Sequence, residues 1–160
     1  MDEMPLLRAL HVIGVVFWIG GVAFVTTVLL PAVRALKEAP ERVAFFESIE
    51  TQFAWQARIS TLLVGITGFY ITHAWNLWAR FSQLQYWWMH AMVAIWALFS
   101  FILFIAEPLF LHRWFLERAA RDPEGTFRRI EILHRVLLSV SLIAVFGAVS
   151  GSHGWVWLAK

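Results

Sequence analysis

Of the six histidines in this 160-residue chain, His11, His73, His90 and His153 fall at matching ends of its long apolar runs. His11 lies just inside the first run, His73 closes the second, His90 opens the third and His153 follows the fourth. A chain that crosses a bilayer once per run returns these imidazoles to one face. Imidazole is costly to place near lipid and is the commonest metal ligand, so the pattern suggests a metal or haem site. There is no cysteine. That excludes disulfides, iron–sulfur clusters, thiolate zinc and covalent c-type haem.

His11 and His90 sit at similar depth, each roughly 7 Å inside its run at 1.5 Å of rise per residue. Two imidazoles at matched depth on different helices can ligate one haem iron from opposite faces, which is how helical bundles hold haem b. Arg8 and Arg80 are placed to pair with haem propionates. His73 and His153 lie closer to the surface, where they would ligate a second metal, bind propionates or stand solvated. The competing use of the cluster is copper held by His11, His73 and His90, since imidazole suits copper. Met92 points about 200° away from His90 around the helix, so Met92, like Met89, reads as packing. Gly14, Gly20, Gly21, Gly65 and Gly68 let backbones approach and leave room for a flat macrocycle. At the opposite end Glu107 needs a partner and Arg58 has the right sign at the right depth. His112 and His134 read as boundary residues.

The chain is 60% hydrophobic and 16% aromatic, above the apolar share of soluble domains, which calls for a bilayer. Spans are expected at 6–30 (stopping at Pro31), 53–75, 86–111 (with Pro108 bending or ending it) and 130–151. In lipid they must be helices. Residues 32–52 read as a short interfacial helix, and 113–129 as a connection turning at Asp122-Pro123-Glu124-Gly125. The expected fold is one all-α domain over 1–160, a four-transmembrane-helix antiparallel bundle. The first apolar run is too long for a cleaved signal peptide. Ten of the thirteen Lys and Arg residues fall beside the loops after the first and third spans. These are Arg34, Lys37, Arg42, Arg58, Arg113, Arg118, Arg121, Arg128, Arg129 and Arg135; Arg8, Arg80 and Lys160 lie opposite. The positive-inside rule puts both termini and the histidines on the outer side, the periplasm of a bacterial inner membrane. Trp75, Trp78, Trp87, Trp88, Trp155 and Trp157 would form the outer aromatic belt. A net charge of +2 gives no reason to expect nucleic acid. The partners expected are the lipid bilayer and quinol. A homodimer would add cover to a haem, with Phe99, Phe101, Phe104 and Phe110 as its contact.

The string Leu10-His11-Val12-Ile13-Gly14-Val15-Val16-Phe17-Trp18-Ile19-Gly20-Gly21 resembles the opening helix of the CopD-like membrane proteins. That group joins the copper-resistance protein D family and the HemJ-type protoporphyrinogen oxidases. Ala57-Arg58-Ile59-Ser60 with Gly65 and Gly68 is similar to their second helix, and Trp88-Met89-His90-Ala91-Met92 to the start of their third. The resemblance implies a four-helix core and, in haem-binding members, haem b held by the first-helix histidine, here His11. The HemJ-type pattern has a Lys where this chain has Met92. The expected function is therefore a haem b membrane redox protein, linked to quinol or acting on a small oxidant. The alternatives are a copper-binding or copper-transport protein and a cofactor-free assembly subunit.

Overall fold

A computed structural model describes residues 3–36 and 38–155, leaving Lys37, Trp157 and Lys160 outside the described residues. Among the described residues the chain is helical almost throughout: α1 (Met4–Ala35), α2 (Ala39–Ala74), α3 (Leu84–Arg121) and α4 (Pro123–Ser152). Three of these, α1, α3 and α4, are long and apolar enough to cross a membrane. α2 matches them in length but is diluted by Gln52, Gln56, Arg58, Ser60, Thr61, Thr67 and Thr72. The apolar helices are those of a chain compatible with a multi-pass membrane protein.

Local chemistry sets the ends. Proline occupies one of the first two positions of α1, α2 and α4, where its missing N–H costs nothing. Asp122 caps α4 by accepting a 2.9 Å hydrogen bond from the Gly125 N–H. α2 ends where Asn76 takes a left-handed conformation, φ 51°, which asparagine tolerates better than most residues. A 3₁₀ turn, Leu77–Ser82, leads into α3.

Several expected boundaries are corrected. The first helix does not stop at Pro31. It widens over Val25–Leu29, where the Leu30 N–H bonds the Val25 carbonyl, and continues to Ala35. The widened register accommodates the ring that would otherwise strike the preceding turn. Pro108 likewise neither ends nor breaks α3, because Ile102–Leu111 is wound in the same wide register. Residues 39–52 are the first turns of α2 and not a separate interfacial helix. No breaker intervenes, and Val43, Phe46, Ile49 and Phe53 turn one stripe to the core. The stretch 113–129 is helical except at Asp122, so the last helix begins at Pro123.

α1 packs most closely on α2, α2 meets α3, α3 meets α4, and α4 returns to α1. One cluster at the Ala35 end joins all of them through Leu30, Val33, Phe46, Phe115 and Phe127. Rings of Phe46, Phe115 and Phe127 stand 5.3–5.9 Å apart in tilted and edge contacts. A second cluster lies nearer the middle, with Trp18 edge-on to Phe99 at 5.1 Å. Phe99 is thus core and not a dimer contact, whereas Phe101, Phe104 and Phe110 are exposed. Met89 is buried as packing, but Met92 is exposed and fills no core. Large apolar side chains cover the outside, among them Val16, Ile66 and Leu109, the inverse of a water-facing surface.

Candidate functional site

His11 has the most defined environment of the histidines. It projects from α1 onto the Thr67–Gly68 turn of α2, where its Nδ1 lies 2.9 Å from Thr67 Oγ1. The Thr67 hydroxyl already donates to the Leu63 carbonyl at 2.6 Å. A hydroxyl has one proton, so only its lone pairs face the ring, and His11 Nδ1 must be the donor. In the neutral ring this places the proton on Nδ1 and the lone pair on Nε2. Metal-ligating histidines are held in this way, one nitrogen anchored and the other presented. Gly68 makes the seat: a Cβ there would stand 3.1 Å from His11 Cε1, tight enough to push the ring away. Gly14, three residues along α1, is closed against Val64 and Leu63 in the same seam.

The other candidates go elsewhere. His90 is exposed, donates Nε2–H to the Phe81 carbonyl at 2.9 Å and stands edge-on to the Phe81 ring at 5.3 Å. It braces the connection before α3, and it makes no contact with His11. His153 is exposed and donates from Nδ1 to the Val149 carbonyl one turn back, at 2.8 Å. His73 is exposed at the end of α2. Arg8 and Arg80 each lie over an aromatic ring, Arg8 on Trp75 at 5.4 Å and Arg80 on Tyr86 at 5.0 Å. Among the described residues no group of three or more His, Asp or Glu side chains could hold a metal ion. The expected gathering of His11, His90 and His73 on one metal is therefore not what the structure presents. His90 is instead committed to the Phe81 carbonyl and His11 to the Thr67 hydroxyl.

Trp88 is buried and does not stand as a lipid-facing belt residue, because Gly147 and Gly151 of α4 let the Trp87 and Trp88 rings lie on that helix. Trp75, Trp78 and Trp155 are exposed, as a belt requires.

The opposite end is an ion-pair region. Arg58 pairs with Glu107, and its Nε donates to the Leu103 carbonyl at 3.0 Å. In the wide register that carbonyl would be bonded by the N–H of residue 108, which proline lacks, so Arg58 fills the gap that Pro108 creates. Glu131 is buried between Arg34, at 2.6 Å, and Arg135. Glu47 lies 3.9 Å from His112.

Sequence reasoning singled out His11 and missed Thr67. The signal available was the run Gln56, Ser60, Leu63, Thr67 at helical spacing, a stripe of α2 turned to α1. The chain matches no family model, no curated protein and no solved structure. What fold and site define is a helical protein with three helices long and apolar enough to cross a membrane and a histidine, His11, anchored between two helices.

Proposed function

We propose that this protein is a haem b redox protein of a bacterial inner membrane, with His11 as the axial ligand. The observation that carries the reading is the His11–Thr67 hydrogen bond, which anchors a part-buried ring through Nδ1. Haem would supply one-electron redox chemistry. The chain's own residues do the rest: Thr67 fixes the tautomer, Gly68 leaves room for the ring, and Leu63 holds the Thr67 hydroxyl in place. His90 is not carried over as a ligand, since its Nε2–H is committed to a carbonyl. α2 is the fourth crossing in this reading. Thr67 and Arg58 of α2 bond residues of α1 and α3, and both termini lie on the outer side by the charge asymmetry.

The test is an absorbance spectrum, oxidised and reduced, with metal analysis of the same purified sample from haem-replete cells. A Soret band lost in His11→Ala and kept in His90→Ala supports the reading. A colourless protein, or full haem retention in His11→Ala, overturns it. Stoichiometric copper without a Soret band would also overturn it.

A further inference from the structure

The α1–α2 seam that holds His11 opens further along into a cleft of about 420 Å³, within the span of roughly 300–1,000 Å³ typical of small-molecule sites. Phe24 and Val25 of α1 and Ile49 and Phe53 of α2 form its apolar walls. Gly21 lets the Phe53 ring lie flat into the seam, over the space a Cβ would take. Its polar groups are the amides of Gln52 and Gln56, one helical turn apart and both exposed. Gln56 Nε2 reaches the Phe17 carbonyl only at 3.4 Å, the long limit of a hydrogen bond. Gln52 has no hydrogen-bond partner among the described residues.

Phe17 lies near the middle of α1, a helix fit to cross the bilayer. With α1 and α2 crossing the bilayer, as proposed above, an unpaired amide at that depth faces hydrocarbon, where it is costly and water cannot satisfy it. The occupant must therefore come from the bilayer, fit between aromatic walls and carry hydrogen-bonding oxygens. A hydrocarbon tail alone has no such oxygens. A phospholipid headgroup has phosphate, but no cationic side chain lines the cleft.

We propose that this cleft binds the ring of a quinone or quinol, with the apolar tail left in lipid across exposed Phe24. A carboxamide both donates and accepts, so Gln52 and Gln56 can serve a carbonyl oxygen of the oxidised ring or a hydroxyl of the reduced one. The cleft and His11 share one seam. Thr67 and Gln56 are eleven residues apart, about 16 Å along α2 by helical rise. The ring's use as an electron partner rests on the haem reading; its binding does not.

The experiment titrates the purified full chain with decylubiquinone and reads quenching of tryptophan fluorescence, with decanol as the tail-only control. Saturable binding near one per chain is expected, weakened at least tenfold in Gln52→Leu/Gln56→Leu with the Soret band unchanged. Gln52→Leu alone removes no protein contact and keeps the test valid should the double variant fail to fold; it should weaken binding several-fold. His11→Ala should lose haem and keep decylubiquinone affinity, which separates the two readings. Absence of saturable binding, undiminished affinity in both glutamine variants, or equal competition by decanol would overturn the proposal.

Discussion

Thr67 decides what His11 can do. Without an acceptor beside Nδ1 the ring is free to choose either tautomer and to rotate. Thr67→Val keeps the shape and removes the acceptor, so haem affinity should fall by about 10–100-fold, the usual cost of losing a ligand's supporting hydrogen bond. Haem titration of the apoprotein measures this, and unchanged affinity would sink the anchoring role. His11 was legible from sequence because a lone imidazole in an apolar run is conspicuous. Its Thr67 partner was not, because which residue of α2 faces it depends on how two helices slide past each other. His90 misled for the same reason: nothing in the chain order says that the Phe81 carbonyl turns toward it.

At the scale of elements, two prolines sit in helices that do not end. The wide turns at Val25–Leu29 and Ile102–Leu111 absorb them, and Arg58 supplies the hydrogen bond that Pro108 cannot. Arg58→Met leaves both Glu107 and the Leu103 carbonyl without this partner, at a cost of about 3 kcal/mol by analogy with broken part-buried pairs. Pro108→Ala restores a backbone N–H. In that background Arg58→Met should cost measurably less, and a double-mutant cycle with no coupling would show that Arg58 serves Glu107 alone. Gly65 is a close approach between α2 and α3, since a Cβ there would stand 2.6–2.7 Å from three atoms of the Trp96 indole. That indole is pinned by its 2.9 Å bond to the Thr61 carbonyl. Gly65→Ala should therefore destabilise by about 1–3 kcal/mol in chemical unfolding. The helices themselves were legible as apolar runs, and Arg58–Glu107 as opposite charges at one depth. The continuations past Pro31, through Pro108 and into 113–121 were not, because proline's effect depends on whether a wide turn is available to receive it.

For the whole molecule, an outside coated with Val16, Ile66 and Leu109 and an Arg-rich end fix the orientation to be tested. The chain has no cysteine, so single introduced thiols report unambiguously. Ser82→Cys, in the connection before α3, should react with an impermeant maleimide in intact cells; Arg121→Cys, beside the α3–α4 turn, should react only after lysis. The reverse pattern would invert the topology. The polar face of α2 carries one more implication, for biogenesis. Read alone by the insertion machinery, Ala39–Ala74 is a poor stop signal. Its Thr67 and Arg58 gain their partners on other helices only once α1 and α3 are in place. This segment should enter the bilayer as a hairpin with α1 and be completed by α3, so a nascent chain released before residue 111 should leave α2 partly translocated and open to the quality-control proteases.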